Sequence, residues 1–312
     1  MDLEMVLNEL SLRASAPDIP TARERMSELI QTLRQASASG VKRVLRTNSS
    51  INSLELAPGY PLARWRNDKE SDLEERRFFR TLTAKAPFWE DAAEEIKDEF
   101  DLSEVFYQGE SAMGLTFALV SDALAVSLLS ESKWDCSRLE LHITYLDDNE
   151  ELIEERVEIP HASRSVHMRE HGDWIKNRIR ITARDGIELW QRRNELFPHL
   201  EFCESVRPQV ESLNATNPMF RQVMKRLFEL EEYCENWTSG PFNKDALPSK
   251  ATPESESRLQ KFADRFNIRC PDGEYRLFNW HVRMTPGAWR LHFSVELGPG
   301  RIIVGYIGLK IE

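Results

Sequence analysis

Thr285-Pro286-Gly287-Ala288 is the feature that most narrows what this chain can fold into, because strand-like runs flank it from Glu274 to Ile311. Closing a hairpin around that tetrapeptide sets Met284 opposite Trp289, and the remaining pairs follow from the turn. His281 then faces His292, and Arg283 faces Arg290, all on one side of the ribbon. The other side carries Phe278, Trp280, Val282 and Met284 against Trp289, Leu291, Phe293 and Val295, which is a core face. A third strand places Gly305 beside His292 and leaves a gap without a side chain. Like charges directly across a strand pair destabilise it, so an Arg–Arg pair beside a His–His pair asks for an anion. The expectation is a phosphate- or carboxylate-binding face built from Arg283, Arg290, Arg276 and Gly305, with His281 and His292 as catalytic candidates. Two guanidinium forks suit oxyanions, and two imidazoles suit general acid–base work. The competing reading is a solvated outer face on which Glu274 and Glu296 neutralise the arginines.

Composition limits the classes open to the chain. At 312 residues, with 41% hydrophobic and 30% charged residues, it reads as a globular protein of one large or two ordinary domains. No apolar run approaches the roughly 18 residues that span a bilayer, and Met1-Asp2-Leu3-Glu4 lacks the features of a signal peptide. A cytoplasmic protein with no membrane partner is expected. Cys136, Cys203, Cys234 and Cys270 show no paired spacing, which fits reduced structural thiols. The net charge of −11 argues against a surface coated in DNA-binding charge. Two basic islands stand out nonetheless: residues 258–312, with nine Lys/Arg against five Asp/Glu, and residues 41–85, with ten against six.

Hydrophobic periodicity predicts an α+β protein with antiparallel sheets, packed helices and a small C-terminal helix plus three-stranded meander. Three regions are expected: 1–103, an N-terminal α+β region; 104–240, a central antiparallel sheet with helices; and 252–312, the C-terminal module. In the first, Val6 to Leu12 reads as a strand, Thr21 to Ala38 as a helix, Val41 to Thr47 as a strand and Leu56 to Trp65 as irregular. Ser71-Asp72-Leu73-Glu74 reads as a capping box that starts a helix at Ser71, and Asp91 to Phe100 as another. In the second, Val105 to Tyr107, Gly114 to Val120, Leu124 to Leu129, Leu139 to Tyr145 and Glu154 to Ile159 read as strands, with a turn at Asp147-Asp148-Asn149-Glu150. Asn217-Pro218 opens the clearest helix, with Pro at its first position. Asn236 to Thr252 reads as a linker, and Thr252-Pro253 as the start of a helix bearing Leu259, Phe262 and Phe266.

Two further motifs carry chemistry. His167-Met168-Arg169-Glu170-His171 matches H-x-x-E-H, which on a helix would offer His167 and His171 to zinc with Glu170 as base. Gly172 follows at once, which argues for a helix end, and a surface histidine pair is the simpler reading. Arg64, Arg66, Arg76, Arg77 and Arg80 interleave with Tyr60, Trp65, Phe78 and Phe79, as single-strand nucleic-acid platforms do; an amphipathic helix explains the same letters. No P-loop, G-x-G-x-x-G or G-x-S-x-G is present, and no cofactor is expected.

The runs Phe278 to Arg283, Trp289 to Phe293 and Ile303 to Gly308 resemble a C-terminal module of uncharacterised bacterial proteins, often encoded near restriction, toxin–antitoxin or other phage-defence genes. The meander is similar in outline to RelE-like toxins, and the remainder resembles uncharacterised proteins of cyanobacteria. The resemblance implies a defence or toxin context and carries over no catalytic residue. The leading expectation is a nucleic-acid-directed component that binds, and in one version cleaves, RNA or DNA. In that version one of His281 and His292 is base and the other acid, and the arginines stabilise the phosphorane. The alternatives are a non-catalytic subunit docking an acidic protein partner encoded nearby, and a zinc hydrolase using H-x-x-E-H.

Overall fold

The computed structural model of the protein describes residues 3–84, 88, 103–146, 152–180, 183–214, 217–284 and 289–311. Its contacts divide the chain into two units, Asp2–Arg180 and Ile181–Glu312. The first unit runs β1 (Met5–Leu7), α1 (Ile19–Ala38), β2 (Leu45–Arg46), β3 (Glu55–Ala57), β4 (Tyr60–Pro61), α2 (Leu62–Trp65), α3 (Leu73–Thr83), β5 (Ser103–Tyr107) and β6 (Glu110–Ser111). It continues through α4 (Met113–Val120), β7 (Leu124–Val126), β8 (Arg138–Leu146), β9 (Leu152–Ala162) and α5 (Gly172–Arg180).

Seven strands form one sheet in the order β2-β1-β7-β9-β8-β5-β6. β2, β1, β7 and β9 pair in parallel, whereas β8 and β5 pair antiparallel with their neighbours. β1 and β7 are buried at every position, as strands covered on both faces must be. The expected antiparallel sheet is therefore a mixed one. The boundary expected at residue 103 falls inside this unit, because β1 pairs with β7 across it. α1 starts where Asp18 caps the Thr21 N–H at 2.8 Å, and it buries Met26, Leu29, Ile30 and Leu33. They join Leu7, Trp65, Phe79, Val126 and Ala162 in the core.

Several local expectations change for identifiable reasons. The first strand stops at Leu7 because the Asn8 side chain accepts the Leu10 N–H at 3.1 Å and turns the chain into a 3₁₀ turn, Glu9–Leu12. α3 is capped by Asp72, which bonds Glu75 N–H at 2.9 Å, so it begins one residue later than a Ser71 cap would set it. The apolar run Gly114 to Val120 is helix α4. Such a short run, apolar at all but Thr116, has too little period to reveal its type. Gly114 lets this helix approach closely: a Cβ there would lie 2.9 Å from the Leu7 carbonyl oxygen.

At the carboxyl ends of β1, β7 and β9, one buried network joins the strands. Asn8 Nδ2 donates to Ser127 Oγ at 3.0 Å, and Ser127 Oγ lies 2.7 Å from His161 Nε2. His161 Nδ1 meets the Cys136 carbonyl oxygen at 2.9 Å. A carbonyl only accepts, so Nδ1 carries the proton and Nε2 accepts the Ser127 hydroxyl. Burial first, with His167 and His171 adding to it, pushes His161 down to about 3. A histidine held neutral in the folded state stabilises it fully above its unfolded value near 6.5, and that contribution fades as pH falls toward 3. We expect urea unfolding across pH 8 to 4 to show His161→Gln destabilised most at high pH, by a few kcal/mol in order of magnitude, with the deficit shrinking on acidification. A deficit independent of pH would refute the assignment.

The second unit runs α6 (Gly186–Leu196), β10 (Leu200–Phe202), α7 (Val206–Glu211), α8 (Pro218–Asn236), β11 (Ala251–Pro253), α9 (Glu256–Lys261), α10 (Ala263–Phe266), β12 (Asn267–Arg269) and β13 (Tyr275–Leu277). β14 (Trp280–Arg283), β15 (Trp289–Ser294) and β16 (Ile302–Leu309) complete it. The main sheet has the order β10-β16-β15-β14-β11, with β10 parallel to β16 and the rest antiparallel. The meander is thus the centre of a five-stranded sheet. Thr252 and Pro253, expected to open a helix, lie in its edge strand at the end of the expected linker, and α9 follows at Glu256.

The expected helix Asp91 to Phe100 and the turns at Asp147–Glu150 and Thr285–Ala288 lie outside the described residues. Among the described residues no helix is long and apolar enough to cross a membrane.

Candidate metal centre

The β14–β15 register is the one the turn predicts: His281 opposite His292, Arg283 opposite Arg290, and the Met284 N–H on the Trp289 carbonyl at 3.0 Å. Outer strands extend the row. Thr252 of β11 lies opposite His281, and Tyr306 of β16 opposite His292. Thr252, His281, His292 and Tyr306 therefore line up across four strands on one face.

That face is enclosed. His281 is 7% exposed, His292 0% and Arg290 3%, whereas Arg283 is half-buried, so most of the expected anion-binding surface is an interior layer. The Phe266 ring packs 5.3 Å from His292, the His281 ring 5.2 Å and the Tyr306 ring 5.8 Å. Of the expected apolar face, Phe278, Val282, Met284, Leu291 and Phe293 are buried, whereas Trp280, Trp289 and Val295 are half-buried. Arg276 is committed to Asp272 through two bonds of 2.8 and 2.6 Å and belongs to a different hairpin.

Gly305 is also placed differently. A bulge between His292 and Phe293 shifts the register, so Tyr306 takes the place opposite His292. The space a Gly305 side chain would use is filled by the Phe278 ring, 2.4 Å from where a Cβ would stand. The glycine serves packing. Gly305→Ala should lower stability by about 1–3 kcal/mol, read as a fall in the thermal unfolding midpoint; an unchanged midpoint would contradict this placement.

Glu254, which follows β11 directly, completes the cluster. Its backbone N–H bonds the Asn279 carbonyl at 2.7 Å, fixing it beside β14. Arg258, one turn into α9, donates Nε to Glu254 Oε1 at 2.9 Å. The other oxygen, Oε2, has no hydrogen bond and faces His281 Nδ1 at 3.8 Å. His281 Nε2 meets Thr252 Oγ1 at 3.1 Å. Neither ring nitrogen of His292 makes a well-formed hydrogen bond among the described residues. Burial, then the neighbouring His281, Arg290 and Arg258, hold His292 well below the usual imidazole range, while the Phe278 backbone acts in the opposite sense. His292 is accordingly a neutral imidazole.

One donor atom from each of Glu254, His281 and His292 lies within 4.8 Å of the other two, and all three residues are buried. Ligands bound at roughly 2.0–2.2 Å to one tetrahedral ion stand about 3.4 Å apart, so modest closure would bring these donors to bonding distance. The outer bonds fit that role. Arg258 holds one Glu254 oxygen and Thr252 one His281 nitrogen, as second-layer partners orient ligands around an ion.

His167 and His171 do not form a comparable site. His167 lies in a 3₁₀ turn, Ser165–Arg169, with Nε2 on Asp135 at 3.2 Å and Nδ1 facing the Ser163 N–H at 3.3 Å. His171 Nε2 donates to the His161 carbonyl at 2.9 Å, and Glu170 accepts from Ser137. Each group has its own partner, and the helix that would put both rings on one face is absent. The basic–aromatic segment is a packed one: Phe79 and Trp65 are buried edge to face at 5.8 Å, with Arg66 over Phe79. A second His/Glu/Glu group, His199, Glu231 and Glu235, is half open, and its Glu231 already bonds the His199 ring at 2.6 Å.

Of the cluster, His281 and His292 were legible from the turn. Glu254 was missed because its neighbours Thr252 and Pro253 read as the start of a helix, which hid the strand that carries it to His281. Comparisons with family models, curated proteins and solved structures find no match.

Proposed function

We propose that the second unit is a metal-binding module in which Glu254 Oε2, His281 Nδ1 and His292 hold one divalent transition-metal ion. The observation that carries this reading is a buried carboxylate oxygen and a buried neutral imidazole without hydrogen bonds, set beside a second imidazole whose far nitrogen is already held. Left empty, each such polar group costs about 1–3 kcal/mol; an ion would satisfy them together. Two imidazoles and one carboxylate suit zinc and its first-row neighbours and disfavour magnesium and calcium, which prefer all-oxygen sets. Three protein donors leave a fourth position for water or one small ligand. Within the enclosed layer the ion's first role is to clamp β11, β14 and β15 together.

A role directed at nucleic acid, or at an acidic partner protein in a defence system, is a separate proposal. It would have to use surface other than this face, because His281, His292 and Arg290 are interior.

The test is metal analysis of chelator-stripped protein reloaded in turn with zinc, manganese, nickel and anaerobic ferrous iron, with unfolding temperatures alongside. One ion per chain is expected, adding about 4 kcal/mol of stability when free metal exceeds Kd a thousandfold. His292→Phe should abolish binding yet leave the stripped protein at least as stable as wild type, since it removes two unsatisfied nitrogens. His167→Ala should bind normally. Equal metal content in wild type and His292→Phe, with no thermal shift for any ion, would reject the module.

A further inference from the structure

Three arginines of the first unit converge without a counter-ion. On α3, Arg76, Arg80 and Thr83 share one face, because positions four and seven apart stack along a helix. Arg66, the residue after α2, reaches that face. Its Nη2 donates to Thr83 Oγ1 at 3.2 Å, and its guanidinium lies 5.7 Å from the centre of the Phe79 ring. Its Nη1 donates to Asn52 Oδ1. Arg76 joins from the preceding turn of α3, donating Nη1 to the Arg66 carbonyl at 3.4 Å. Arg66 and Arg76 are half-buried and Arg80 is exposed, so the group opens to solvent at Arg80.

The bonding partners are a side-chain amide, a hydroxyl and a backbone carbonyl, all neutral. Among the described residues no carboxylate pairs with Arg66, Arg76 or Arg80. Other arginines of the unit are compensated: Arg23 by Asp68 and Glu70, Arg46 by Glu4, and Arg77, on another face of α3, by Glu74. Like charges four apart on a helix repel. Burial, then Arg80, lowers the Arg66 pKa from its ordinary value, in keeping with that crowding. Half-buried guanidiniums without counter-charge are what an oxyanion requires.

We propose that Arg66, Arg76 and Arg80 bind a terminal phosphate group, the phosphomonoester of a nucleotide or of a nucleic-acid 5′ end. Side chains four apart on a helix stand roughly 5–6 Å apart at their Cβ atoms, a gap that one phosphate spans. A phosphomonoester carries about two negative charges at pH 7, against about one for each internal phosphate of a strand. The net charge of −11 repels a long polyanion, which favours one concentrated charge over a backbone laid along the surface. Tyr60, Trp65 and Phe79 are buried, so bases find no stacking platform among them and recognition rests on the phosphate.

The test is fluorescence anisotropy of the full chain with 3′-labelled decathymidylate carrying either a 5′-phosphate or a 5′-hydroxyl. The phosphorylated strand should bind about tenfold tighter, and Arg76→Gln or Arg80→Gln should each remove that advantage. Arg77→Gln, which loses the same charge on another face of α3, should bind as wild type. Displacement by adenosine monophosphate but not adenosine assigns the site to free phosphomonoesters; displacement by neither assigns it to strand ends. Without ligand, Arg80→Gln should unfold at the wild-type temperature or above it, because a like-charge pair is gone. Equal affinity for the two strands, no binding of either, or equal losses in Arg77→Gln and Arg80→Gln would overturn the proposal.

Discussion

Burial of the C-terminal sheet on both faces is the constraint on which the second unit depends. One face of β14 and β15 is apolar and closes as any core face does. The other presents two histidines and an arginine, and closing it removes them from water. Several groups around that layer answer this loss of solvent. Thr252 takes one imidazole nitrogen, Arg258 takes one carboxylate oxygen, and Phe266 and Tyr306 pack rings against His292. Glu254 Oε2 and the two ring nitrogens of His292, which make no hydrogen bond among the described residues, lie where Glu254, His281 and His292 converge. Polar atoms scattered through a core would be separate defects; gathered at one point they make a coordination set.

How much of this could be read from the letters follows from the physics of a hairpin. Register is local, because a tight turn and a period of two fix which residues stand opposite, and the pairs from His281–His292 to Arg283–Arg290 follow it. Which face meets water is not local. It depends on α9, α10 and Glu254 folding over the sheet, and nothing in the β14–β15 sequence encodes that cover. The bulge at His292 was equally hidden, since it arises where β16 must admit the Phe278 ring at Gly305.

The first unit divides along the same line. α1 was legible because its apolar residues Met26, Leu29, Ile30 and Leu33 recur at helical spacing. α4 was not, because a short run that is apolar except for Thr116 suits a buried strand or a buried helix equally. The parallel pairing of β1, β7 and β9 was invisible for a further reason: no turn joins parallel neighbours, so no local residue reports the pairing. Asn8, Ser127 and His161 betray it afterwards, as polar residues placed at or beside the strand ends that become sensible once those ends meet.

That pairing has a consequence for the order in which the molecule can be made. β1 sits inside its sheet between β2 and β7, yet Asn8 and its partner Ser127 are separated by 119 positions. During vectorial synthesis the first apolar strand emerges long before its second neighbour exists. Until then it can associate only with α1 and the two-residue β2, leaving one hydrogen-bonding edge unpaired. The nascent chain must therefore carry an open parallel edge for most of the time needed to translate this unit, a state that exposes it to mispairing.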